Sequence, residues 1–146
     1  MPKPNAIRVS LLLRLLGLAL ATTALFSVPA MAAPNWSRPE VFNVVVTEDI
    51  FAPSHLVFRT GVAYRLHIEN QGEELQKFAA PGFFGAVEIH TPAVLNADQS
   101  EIDIPAGEMR DFLFVAEQPR AFKLRSPDYD WDGMTGDIVI TRSFEP

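Results

Sequence analysis

Short runs of apolar and β-branched residues, split by turn residues, dominate this chain after its first thirty residues. Residues 41–46 form a continuous β-branched and aromatic run. Residues 56–58 form a shorter one that stops at the turn Thr60-Gly61. Along 63–69 the pattern alternates, with Tyr64, Leu66 and Ile68 on one face and Arg65, His67 and Glu69 on the other. That two-residue period marks a strand with one buried face. Ile102-Asp103-Ile104 alternates before the turn Pro105-Ala106-Gly107, and 109–115 places Phe112 and Phe114 together, opposite Leu113 and Val115. Residues 121–124 and 138–141 complete the set. Sustained helical spacing is absent beyond the start of the chain. Residues 83–90 break the strand pattern and admit one helical turn, and 91–100 read as a loop rich in turn formers. The prediction is an all-β sandwich with at most one short helix.

The first residues follow a different logic. Lys3, Arg8 and Arg14 precede an uncharged apolar run over 15–26, and Ala30-Met31-Ala32 has the small-x-small form of a processing site. Residues 1–32 therefore read as a signal peptide cleaved after Ala32. The run is short for a membrane span, which needs about 20 apolar residues. Residues 33–40 are expected to be a flexible mature N-terminus and 41–146 a single domain. The expected location is periplasmic or secreted, with no stable membrane insertion after cleavage.

Charge and composition narrow the function. The whole chain carries 12 basic and 18 acidic residues, net −6. Only Lys3, Arg8 and Arg14 lie in the expected leader, so the exported part has 9 basic and 18 acidic residues, net −9. Such a surface repels nucleic acid and anionic lipid. Cysteine is absent, which excludes disulfides, lipoprotein anchoring and all thiolate chemistry. Hydrolase, zinc-protease and phosphate-loop motifs are missing, and no enzyme activity is expected.

The stretch Ser126-Pro127-Asp128-Tyr129-Asp130-Trp131-Asp132-Gly133-Met134 carries the chemistry. Its spacing, with a strand following, resembles the cupredoxin copper loop, Cys-x-x-His-x-x-x-x-Met. Upstream, Asn70-Gln71-Gly72 and Phe78 flank Gln76, where that family places its other histidine. Further likeness lies in Phe51-Ala52-Pro53 with Leu56, in Ile104-Pro105-Ala106-Gly107-Glu108, and in Gly133-Met134 with Gly136. Phe78-Ala79-Ala80-Pro81-Gly82-Phe83-Phe84 and Asp130-Trp131-Asp132-Gly133-Met134 resemble the iron-uptake-associated (EfeO-type) branch of cupredoxin-like domains.

The resemblance implies a Greek-key β-sandwich of cupredoxin type whose copper-ligand positions are Gln76, Ser126, Tyr129 and Met134. Copper is the family's cofactor. A blue site takes two imidazoles, a thiolate and a weak axial thioether, and only the thioether of Met134 is present here. No cofactor is therefore expected. Gln76 and Ser126 are expected to pair across the old site, with the Tyr129 ring against Met134. Asp128, Asp130 and Asp132, with Tyr129, are hard oxygen donors that admit a weak cation site. His55, His67 and His90 share no ligand spacing. Phe78 and Phe84 read as core, whereas Phe83 and Trp131 are candidates for docking a protein partner.

Three roles remain open at this point: a periplasmic accessory or binding protein linked to iron or copper handling, a metal carrier or electron-transfer protein using a non-blue site, and a structural subunit of a membrane redox or transport complex. The expected partner is a protein of the periplasm or inner membrane, such as a metal-transport or redox component.

Overall fold

The computed structural model describes residues 32–144; the expected leader lies outside them up to Met31. Ten strands are described: β1 (Glu40–Val46), β2 (Phe51–Ala52), β3 (His55–Arg59), β4 (Ala63–Asn70), β5 (Gln76–Ala79), β6 (Val87–Ile89), β7 (Glu101–Ile104), β8 (Met109–Ala116), β9 (Arg120–Arg125) and β10 (Thr135–Thr141). They form two five-stranded sheets, in the orders β2-β1-β4-β8-β6 and β3-β10-β9-β5-β7. β1 runs parallel to β4 and β3 parallel to β10, while the remaining pairs are antiparallel. Every step from β2 to β9 changes sheet, so the two sheets face each other as a sandwich, as the alternation predicts, and its cupredoxin type is what the resemblance implies. No helix among the described residues is long and apolar enough to cross a membrane.

The two-residue period does what it should. Tyr64, Leu66 and Ile68 of β4 are buried, as are Phe112 and Phe114 of β8. Their register pairs Tyr64 with Phe114 and Leu66 with Phe112. Cross-strand aromatic and branched pairs of this kind stabilise a sheet face. From the other sheet, Leu56, Phe58, Phe78, Ile102, Ile104, Leu124 and Ile138 meet them. Phe58 lies 5.0 Å from Phe114 and 4.9 Å from Tyr64, ring to ring.

Between β5 and β6 the chain makes one helical turn, α1 (Pro81–Phe84), with proline at its start. Proline suits that position because its ring presets φ and the first N–H has no helical partner. The turn drives both Phe83 and Phe84 into the core. Phe83 is 0% exposed, with rings of Phe114, Phe84 and Phe122 at 5.0, 5.6 and 5.8 Å. The reading of Phe83 as a docking residue is thus corrected: it is a core residue. At the start of the domain, Trp36 stacks on His90 at 4.2 Å, which gives the expected loose segment a fixed contact.

One end of the sandwich gathers the loops 47–50, 71–75, 105–108 and 126–134. Asn70 ties several of them. It is 1% exposed, yet every group of its side chain is used. Its amide N–H groups donate to the carbonyls of Glu74 and Ile104, at 2.7 and 2.8 Å, and its Oδ1 accepts the Gly72 N–H at 2.8 Å. A buried amide with all partners made is neutral to favourable, and costly to disturb. The Asn-x-Gly turn therefore fixes where β5, and Gln76 with it, begins.

Candidate functional site

Three backbone hydrogen bonds shape the loop between β9 and β10. The Tyr129 N–H donates to the Ser126 carbonyl at 3.0 Å, the Ser126 N–H to the Met134 carbonyl at 3.1 Å, and the Met134 N–H to the Tyr129 carbonyl at 3.3 Å. A single 3-10 turn, Asp130–Asp132, lies between, and ends at Gly133 with φ +88°. That left-handed conformation is open to glycine without steric cost. Ser126, Tyr129 and Met134 are thus held close in one closed loop. β5 runs beside β9, with Ala79 paired to Arg125. Gln76 and Phe78 both face inward on β5, so Gln76 lies on the buried side.

Gln76 and Ser126 are each 0% exposed and Met134 is 2% exposed. The expected pairing of Gln76 with Ser126 is not made. The Gln76 Nε2 and Oε1 and the Ser126 Oγ have no hydrogen-bond partner among the described residues. Ser126 lies just past the end of β9, and the antiparallel pairing of Ala79 with Arg125 sets Phe78 rather than Gln76 across from it. A buried polar group without a partner costs about 1–3 kcal/mol. Gln76→Met keeps the volume and removes the amide. It should raise stability by about 1–2 kcal/mol in urea unfolding, and a loss of stability would show that the amide is bonded in solution.

Tyr129 is only half-buried and packs at the edge of the core. Its hydroxyl does not turn toward Gln76 or Ser126. It donates to Glu74 Oε2 at 2.6 Å, across from the 71–75 loop. Glu48 braces the same loop, its Oε1 accepting the N–H groups of Glu73 and Glu74 at 2.5 and 3.1 Å. These bonds lower the affinity of Glu48 for protons, with its own N–H the largest cause. Neither Glu48 nor Glu74 stood out in the sequence, because their partners lie 25 to 55 residues away.

The hydrogen bond to Glu74 raises the Tyr129 pKa above the ordinary tyrosine value, aided by desolvation and by neighbouring carboxylates. A raised folded-state pKa means that the contribution is complete below the unfolded value and is lost as pH climbs through the folded one. Spectrophotometric alkaline titration should accordingly show Tyr129 ionising late. Glu74→Gln should bring it back toward the ordinary range; superimposable curves would refute the contact.

The remaining candidates are dispersed. His67 Nδ1 on β4 is hydrogen-bonded to Asp111 Oδ1 at 2.7 Å, His90 stacks on Trp36, and His55 starts β3. The run Asp128, Asp130, Asp132 does not converge: Asp130 pairs with Arg125 at 3.5 Å, and Asp128 and Asp132 are exposed. Among the described residues no group of three or more such side chains is placed to hold a metal. Trp131, by contrast, stands out of the surface, 77% exposed.

Sheet order and strand pairing define a cupredoxin-like sandwich. Solved structures agree on the fold. Auracyanin B is 20% identical over 71% of this chain and 91% of its own, with a TM-score of 0.53. Reduced auracyanin from the photosynthetic bacterium Roseiflexus castenholzii is 13% identical over 69% and 96%, also at 0.53. A multi-copper oxidase from Pseudomonas thermotolerans is 14% identical over 79% of this chain and 31% of its own, at 0.57. Identities this low establish the fold alone. The sequence matches no protein-family model and no curated protein.

The copper that this fold family implies is tested by the donors. An amide, a hydroxyl, a phenol turned to a carboxylate and one thioether do not make a type 1 site, which takes two imidazoles and a thiolate. The residues present do not fit that group.

Proposed function

We propose that the chain is an exported cupredoxin-like protein that has kept the frame of the copper loop, has lost the type 1 donors, and serves as a non-catalytic accessory or binding protein in the periplasm. The carrying observation is that Gln76 and Ser126 are fully buried polar side chains without partners among the described residues, with the Ser126 backbone bonded to that of Met134. A loop that holds a methionine under a cupredoxin sheet edge but offers no imidazole or thiolate supports binding rather than electron transfer through copper. The leader-like start and the strong acidic balance support export. The likeness of two sequence runs to the iron-uptake-associated branch supports a link to iron or copper handling, with a transport or redox component of the inner membrane as partner.

Metal analysis of protein recovered from its native host tests this directly. The expected result is copper far below one atom per chain, with a transport or redox component copurifying. Stoichiometric copper would overturn the reading.

A further inference from the structure

A cavity of about 430 Å³ lies at the other end of the sandwich, where β4 begins and β8 ends, beside the edge strand β6. Glu88 of β6 and Glu117 and Gln118 of the turn after β8 line it, together with Ala32, Ala33 and Pro34 from the segment that leads into the domain. The charged side chains on this lining are thus two carboxylates. Both are exposed, and neither is in an ion pair among the described residues.

The segment that reaches the cavity is already fixed. Trp36 stacks on His90 at 4.2 Å with the ring planes 10° apart. The Trp36 N–H donates to the Pro34 carbonyl at 3.1 Å and the Arg38 N–H to the Asn35 carbonyl at 3.2 Å. With Trp36 on His90, and Ala33 and Pro34 sharing a cavity with Glu88, the segment follows β6. Pro34 sets its own φ and holds Ala33 before it in extended backbone. Little freedom is left for Ala33 to lose on bonding. Hydrolysis after Ala32 adds water across the peptide bond, hydroxyl to the Ala32 carbonyl carbon and hydrogen to the Ala33 nitrogen. An uncharged amide becomes an amine of ordinary pKa about 7.7–8.0, which takes a proton from solvent and is mostly ammonium at neutral pH.

We infer that this cavity is a receptor site for the chain's own new amino terminus: the Ala33 ammonium seats against Glu88 and Glu117 and closes a latch along β6 that only the processed chain can form. The inference rests on the export reading above, and on cleavage after Ala32 in particular. A single exposed ion pair is worth little, but here two carboxylates meet one ammonium on a segment held by a stacked tryptophan. The titratable groups facing that segment are Glu88 of β6, His90 just after it, and Glu117 of the turn after β8. Carboxylate partners raise the pKa of the ammonium in the folded chain. The latch is therefore complete below about pH 7.7 and is lost as pH climbs through the raised value.

The test is an NMR pH titration of isotope-labelled protein recovered from an export-competent host, read at the Ala33 Cα and Cβ, with the first residue fixed by mass spectrometry. The Ala33 midpoint should lie above about 8.5 in the parent, past the ordinary α-amino range of about 7.7–8.0. The double variant Glu88→Gln, Glu117→Gln should return it to that range. Both side chains are exposed, so the double variant should fold, which circular dichroism verifies. Trp36→Leu, which removes the stack and leaves both carboxylates, should also lower the midpoint. An ordinary midpoint in the parent, or a raised one that neither the double variant nor Trp36→Leu moves, would overturn the latch. Mass spectrometry separates this from the reading beneath it. A first residue other than Ala33 defeats the cleavage site and the latch with it, whereas an ordinary midpoint in protein that begins at Ala33 defeats the latch alone.

Discussion

Phe83→Ala should destabilise the domain by about 3–5 kcal/mol, the range for truncating a buried phenylalanine. The ring is wholly buried and is ringed by Phe58, Phe84, Phe112, Phe114 and Phe122, with centroid separations from 5.0 to 6.2 Å. Alanine would leave a hole walled by rigid aromatic rings from both sheets, which have little freedom to collapse into it. Against a total of about 5–15 kcal/mol for a typical domain, that is a large share. Urea unfolding reads it, and Phe83→Leu, which fills part of the hole, should fall between parent and Phe83→Ala and keep the comparison available if the alanine variant does not fold. Trp131→Ala, at the opposite extreme of exposure, should stay within about 0.5 kcal/mol of the parent. Equal stability for the two alanine variants would contradict the placement of Phe83 in the core.

The contrast between these aromatic residues also shows where a single sequence stops speaking. Strands with one buried face were legible, because alternation reports the face directly: it placed Tyr64, Leu66 and Ile68 of β4 and Phe112 and Phe114 of β8 inward, though Val115 on the other face of β8 is buried as well. β2, β5 and β6 were not. β2 has only two residues and β6 three, too short for a period, and each is held by pairing to a neighbour (β1 and β8) that no local pattern reveals. β5 begins with a buried Gln76, which looks like a surface residue until β7 and β9 close over it. Phe83 and Phe84 are adjacent, and an extended chain would send them to opposite faces; the proline-led helical turn of α1 sends both inward.

The candidate site divides in the same way. The spacing of Ser126, Tyr129 and Met134 survives as a closed loop because its bonds are local backbone bonds. The side-chain partners were not legible. Gln76 opens β5 and Ser126 follows the end of β9, so their separation depends on how the two strands pair. The Tyr129 hydroxyl goes to Glu74, set by how the 71–75 loop is braced by Glu48. Local spacing carries the frame, and long-range contacts decide what each side chain does within it.

The second large expected effect restores what the frame lacks. Gln76→His, Ser126→Cys and Tyr129→His, made together, supply two imidazoles and a thiolate around the thioether of Met134. Ser126 and Gln76 already face the buried side, and Met134 is already in place. Tyr129 asks most of the protein, since the change breaks the bond to Glu74 and the new ring must turn inward from a half-buried position. That loosening favours a somewhat tetragonal geometry, with the band moved toward a greener site, while the thiolate contribution remains. The parent, without cysteine, has no group able to give such a band. The most direct measurement is therefore the visible spectrum of the folded triple variant titrated with Cu²⁺. The account predicts an intense thiolate-to-copper band saturating near one copper per chain. A folded variant that binds no copper, or binds it without a thiolate band, would contradict the claim that Gln76, Ser126, Tyr129 and Met134 stand at the positions of a lost copper site.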